Sequence, residues 1–164
     1  MAPPEEEQSG HRDLCLLVNQ GDIGRIRALL AENPELINRK RWSGVGPLHR
    51  AVDNGDMELA RLLLSHGADA NERAAWGWYT PLHLACKHGH EEMIRLLLDH
   101  GANWSVTDKH KKTPLQWAVR VGKASVAYRI DQQLHAKAKQ ERITALEADI
   151  ASRAATPLSF ASLS

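Results

Sequence analysis

At 164 residues the chain has the length of one domain, and 21 Lys and Arg against 20 Asp and Glu leave a net charge of +1, so it lacks the overall basicity of a nucleic-acid binder. Its two cysteines, Cys15 and Cys86, fall at apolar positions of predicted helices and read as buried thiols in a reducing compartment, not as a disulfide framework. No apolar run approaches the roughly 20 residues of a membrane span, and residues 1–7 lack the basic start and apolar centre of a signal peptide, so a soluble cytoplasmic or nuclear protein is expected.

Residues 1–10 are acidic, contain proline and carry no large apolar group, which predicts a disordered tail. From Asp13 the pattern turns helical. Leu14, Leu17 and Val18 form one stripe, Gly21-Asp22 breaks it, and Ile23, Ile26, Leu29 and Leu30 form a second. Asp22 is placed to cap the second helix. This first helix pair closes on Asn33-Pro34-Glu35-Leu36-Ile37-Asn38.

A six-residue motif then recurs. Thr80-Pro81-Leu82-His83-Leu84-Ala85 is its fullest form, with Gly46-Pro47-Leu48-His49-Arg50-Ala51 before it and Thr113-Pro114-Leu115-Gln116-Trp117-Ala118 after it. The prolines stand 34 and then 33 residues apart. The rest of the period agrees, Leu62-Leu63-Leu64-Ser65-His66-Gly67-Ala68-Asp69 matching Leu96-Leu97-Leu98-Asp99-His100-Gly101-Ala102-Asn103. A TPLH-x-A motif at this period resembles the ankyrin-repeat family, and the likeness covers residues 13–135. The resemblance implies an all-α solenoid of stacked helix-turn-helix units with projecting β-turn fingers. Four repeats follow, over about 11–40, 41–73, 75–107 and 108–135, the first atypical because an end repeat must turn a polar face to water. Residues 136–164 form a C-terminal helical extension and tail.

The motif residues have separable physical tasks. Thr80 and Thr113 are N-caps, and Pro81 and Pro114 take the first helical position, where a missing amide hydrogen costs nothing. Gly46 replaces the capping threonine at an expected cost of a few tenths of a kcal/mol. Gly55, Gly89 and Gly122 turn the chain between paired helices, while Gly67 and Gly101 end the second helix of a pair. Asp56 caps its helix, and Glu58, Glu91 and Glu92 occupy first turns, where the helix dipole favours negative charge.

The fourth repeat is eroded. Its finger, Asp108-Lys109-His110-Lys111-Lys112, lacks the glycine of the family's Asp-x-x-Gly, so Lys111 takes that turn position at a strain of about 1 kcal/mol. No glycine or proline interrupts 124–156, and Val126, Ile130 and Leu134 recur every four residues, so the last helix is expected to run past Ala136. Ile143, Leu146 and Ile150 add a weaker stripe, too short for a coiled coil. Thr156-Pro157-Leu158-Ser159-Phe160-Ala161 repeats the motif off the period, 43 residues after Pro114, and reads as a chance match in a tail ahead of the alternative, the start of a truncated further repeat.

Nine histidines raise the question of a metal. His49 and His83 belong to the motif, where the resemblance implies that the imidazole ties the turn to its neighbours, and His66, His90 and His100 fill framework positions. His88-Gly89-His90-Glu91-Glu92 lacks the i, i+4 histidine pair of a zinc helix. No nucleophile elbow, phosphate loop or dinucleotide fingerprint is present. Neither metal, nor cofactor, nor catalysis is expected.

The tryptophans are more informative, five of them against one Phe and two Tyr. Trp42, Trp76, Trp78 and Tyr79 fall on fingers, with one residue more than the period in Glu72–Tyr79. Trp104 and Trp117 replace apolar framework positions and are expected in the core. The resemblance implies that partner contacts come from the fingers and the exposed face of each first helix. Carried onto this chain, that surface is Trp42, Ser43, Val45, Asp53 and Asn54 in repeat two. It continues through Trp76, Trp78, Tyr79, Lys87 and His88 in repeat three, and Lys109, His110, Lys112, Arg120 and Val121 in repeat four. A non-catalytic protein-interaction module is expected, monomeric by itself, with a protein partner that the flanking basic residues would match through an acidic surface. The alternative is an aromatic cage of Trp42, Trp76, Trp78 and Tyr79 around a cation such as a methylated lysine, with Asp53 as its acidic neighbour.

Overall fold

A computed structural model describes residue 14 and residues 16–38 and 44–154. Residues 1–13, 39–43 and 155–164, and Cys15, lie outside it, and with them fall the expected acidic tail and the last copy of the motif. Among the described residues all regular structure is helical. The chain forms two compact units, 1–127 and 128–164.

In the first unit the helices come in pairs. Residues 16–20 (α1) precede α2 (Ile23–Glu32) and a 3-10 turn, Pro34–Asn38. Helices α3 (Pro47–Asp53) and α4 (Met57–Ser65) follow, then α5 (Pro81–His88) and α6 (Glu91–Asp99). Last come α7 (Pro114–Arg120) and the start of α8 (Ala124–Ala154). The period of the motif thus becomes a period of helix pairs. The first helices stack in a row, α3 on α5 and α5 on α7, while α4 packs on α3 and α6 on α5.

Helix starts follow from their caps. The Asp22 carboxylate accepts from the Arg25 N–H at 3.1 Å, and Asp56 accepts from Leu59 at 3.0 Å. Thr113 and Gln116 close a reciprocal box, the hydroxyl accepting from the Gln116 N–H and the Gln116 Oε1 from the Thr113 N–H. At α5 the partner is a histidine: the Thr80 N–H donates to His83 Nδ1 at 3.1 Å. Each such bond satisfies a donor that the helix itself leaves free, at about 0.5–2 kcal/mol per cap.

Between the helix pairs lies a continuous core of Leu48, Val52, Leu59 and Leu63, then Leu82, Met93, Ile94 and Leu97, all at most 1% exposed. Burying each contributes about 1.5–3 kcal/mol relative to leaving it in water. Ala51 and Ala85, both fully buried, let neighbouring helices approach closely. Erosion of the fourth repeat shows here. Helix α7 buries only Pro114 and Ala118, whereas α3 buries five of its seven residues.

Polar side chains also join one repeat to the next. His83 Nε2 lies 3.0 Å from the Lys112 carbonyl oxygen, and His49 Nε2 lies 3.2 Å from that of Tyr79. A carbonyl only accepts, so each Nε2 carries the proton, and for His83 this leaves Nδ1 free to receive the Thr80 N–H. Burial pushes the His83 imidazole below its usual pKa, keeping the ring neutral. Asn38 and Asn71 make a second row: each amide nitrogen donates to a carbonyl one repeat on, Gly67 or Gly101, and each amide oxygen accepts from Asp69 or Asn103.

Helix α8 runs to Ala154, past Ala136 as the unbroken pattern requires. In the second unit its side chains over 138–148 are exposed, Leu146 and Ile143 among them. Among the described residues no helix is long and apolar enough to cross a membrane.

Candidate partner-binding surface

Fingers precede α3, α5 and α7, the first described only from Gly44 onward. The second has a positive φ at Gly77, 113°, and each places the residue two before the helix cap in the left-handed region. Those residues are Gly44, Trp78 and Lys111, at φ 66°, 57° and 58°. Counted back from Gly46, Thr80 and Thr113 they are the same position, filled by glycine once and by bulky side chains twice. A non-glycine residue there costs about 1–2 kcal/mol. The left-handed Lys111 is as expected; Trp78 was hidden by the extra residue. That residue sits inside the turn, because the Ala74 N–H reaches the Tyr79 carbonyl in one finger where the Asp108 N–H reaches that of Lys112 in the next.

Neighbouring fingers are bonded to each other. The Ala75 N–H donates to the Gly44 carbonyl, and the Lys109 N–H to that of Gly77, both at 2.9 Å. Lys109 is therefore fixed beside the glycine that separates Trp76 from Trp78. Gly44 tolerates this approach only as glycine, since a β-carbon there would run into the Ala75 backbone.

Asp108 organises the last finger. Its Oδ1 accepts from the N–H groups of His110 and Lys112 at 2.8 Å each, and its Oδ2 from the Trp117 indole at 3.0 Å. Burial pushes its carboxyl up, yet these hydrogen bonds outweigh burial and the net shift is downward, so the carboxylate stays ionised. Lys109, His110, Lys111 and Lys112 all remain exposed around it.

The aromatic residues divide. Trp76 is 76% exposed and Trp78 55% exposed, the largest apolar side chains left in water at a finger among the described residues. Trp78 also lines a depression of about 300 Å³ with Arg73, Ala74 and Ala75. Tyr79 is only half-exposed, its ring lying between His49 (5.8 Å between centroids) and Trp117 (5.7 Å), and Trp117 in turn meets the His83 ring edge-on at 5.3 Å. Tyr79 thus joins three repeats, and burial together with the Asp53 charge pushes its phenol above the usual pKa. Trp117 is half-buried, in keeping with a framework role. Trp104 is not core: it is 46% exposed, because its counterpart one repeat earlier is the buried Ala70, a position built for a methyl group.

The remaining expected contact residues gather at the other end of the first helices. Asp53, Asn54, Lys87, Arg120 and Val121 are exposed there, and His88 is half-exposed. The structure brings Asp53 and His88 together at 2.9 Å across α3 and α5, with His90 stacked on His88 at 5.5 Å. Val45 is half-buried at the finger end. An eight-residue helix is about 12 Å long, so the two groups are separate patches flanking the row of first helices. Trp42 and Ser43 lie outside the described residues. Among those described, no group of three or more His, Cys, Asp or Glu side chains could hold a metal ion.

Sequence reasoning missed Asn38 and Asn71, whose spacing of 33 was the available signal, and Glu72, which is buried beside Gly46 although its type predicts a surface. Two comparisons bear on the whole. No curated protein matches the chain. A family model for ankyrin repeats, in three copies, matches residues 48–130, just over half its length, and so spans the three motif-bearing helix pairs and the first residues of the long helix. Recurrent caps, paired helices, inter-finger bonds and this match agree: the chain belongs to the ankyrin-repeat family.

Proposed function

We propose that the protein is a non-catalytic interaction module, an adaptor that holds another protein against its fingers and the exposed ends of its first helices. Ankyrin repeats are in general protein-interaction modules and typically non-catalytic; the finer reading rests on this chain's own surface. One observation carries it: Trp76 and Trp78 stand 76% and 55% exposed on a finger that is bonded on both sides and so loses little freedom on binding. The surrounding cations, Arg73 and the 109–112 run, suit a partner with an acidic surface. Trp42 and Ser43 would extend that surface into repeat two. Asp53, Asn54, Lys87, His88 and Arg120 form its second patch.

The same cations speak against a cage for methylated lysine, which needs negative charge near its rings; Asp53 is already engaged by His88. A buried free thiol at Cys86, its pKa pushed up to about 12 by burial, fits a reducing compartment, cytoplasmic or nuclear. The test is an affinity purification with wild type beside Trp42→Ala/Trp76→Ala. Proteins retained by wild type and lost by the double variant, at unchanged thermal stability, support the reading. If every partner stays bound, the finger surface is not the site.

A further inference from the structure

We infer that Trp78 is kept at a glycine position as a binding anchor, and that the finger of repeat three, flanked by the cations of the repeat-four finger, receives an acidic protein segment carrying an apolar side chain. The inference deepens the proposed function and rests on it.

Three observations converge. The position two residues before the helix cap is glycine, Gly44, in the preceding finger and takes the same left-handed backbone there without strain, so that backbone does not require a side chain at Trp78. Nor does packing, because the ring is 55% exposed. The fold holds that strained conformation without gaining from the ring, and a large indole left in water at such a position is a candidate contact residue. What it contacts follows from charge. Within 72–80 and 108–113 the acids are Glu72 and Asp108, both buried, and Asp108 is already engaged by three donors. The charges that face solvent there are cationic: Arg73, Lys109, Lys111 and Lys112. Arg73 lies in the wall of the depression that Trp78 lines, and the Lys109 N–H is bonded to the carbonyl of Gly77, the residue before Trp78. An apolar side chain enters the depression against the indole, and flanking carboxylates meet the cations at the rim.

A random peptide library displayed on phage is panned against the full-length wild type, and the best binder is then measured as a free peptide on variants. The expected result is enrichment of Asp- and Glu-rich sequences with an apolar residue. Trp78→Gly and Trp78→Asn, two residues that accept the left-handed turn, then lose at least about tenfold in affinity while their Tm equals or exceeds that of wild type. A lowered Tm in both would make Trp78 a packing residue and overturn the inference. Retained affinity in both, with loss in Trp76→Ala and Lys109→Glu/Lys111→Glu, would overturn the anchor and leave the finger surface standing. Neutral or basic peptides, or displacement of the peptide by fluorescein-labelled oligo(dT), would overturn the acidic occupant.

Discussion

Glu72 fills the space that a β-carbon on Gly46 would need, and its Oε2 reaches within 3.7 Å of His49 Nδ1. In the next repeat that place belongs to Thr80, whose hydroxyl lies 3.0 Å from His83 Nδ1. The residue matching Glu72 there is Val106. The missing threonine and the buried carboxylate are therefore one substitution in two parts. Gly46→Thr, a gain by capping rules alone, should instead destabilise by about 1–3 kcal/mol through overpacking. Gly46→Thr/Glu72→Val, which copies the next repeat, should recover most of that loss. A double-mutant cycle by urea denaturation measures the coupling.

Acid should loosen the stack already in the histidine range. His83 is neutral in the fold, its pKa lowered by burial, while the unfolded chain takes up a proton near pH 6.5. A depressed folded pKa gives stability that is present above the unfolded value and is lost as pH falls from there toward the folded one. His90 shifts in the same direction, through burial and the charges of His88 and Lys123, but is exposed and adds less. Denaturation midpoints should thus fall between pH 7 and 5.5, and His83→Gln should flatten that slope. Asp108, whose net shift is downward, acts only in the carboxylate range below.

Cys86 should be inert in the native state. Its thiol is 1% exposed and its pKa is pushed up to about 12, so almost no thiolate forms near neutrality. Iodoacetamide at pH 8, followed by peptide mass spectrometry, should leave Cys86 unmodified until denaturant is added.

The fold was legible because its instructions are local and repeated. Proline after a cap residue, glycine after eight helical positions and alanine facing a neighbouring helix each act within one turn of chain, and three copies at one period cannot be mistaken for chance. Asp22, Asp56 and Thr113 cap as their types predict. What sequence could not show were pairings across about 26 to 34 residues: Glu72 with Gly46, Asn71 with Asn103, Trp78 in the place of Gly44. Trp104 misled for a related reason. Its apolar type suggested core, but the buried position holds an alanine one repeat earlier, and a large ring has no room there. The site was legible as a set of exposed residue types; its division into two patches at opposite helix ends depended on the helices being only seven or eight residues long.

His83 ties the TPLH turn to the Lys112 carbonyl, and Trp78 stands exposed on the finger just before it. The motif braces, and the finger recognises. Amide hydrogen exchange on the protein alone and with a partner recovered on the wild-type bait tests this most directly. New protection is expected over 74–79 and 108–112, with α4 and α6 unchanged. Protection confined to α4, α6 or α8, with the finger amides exchanging as before, would contradict it.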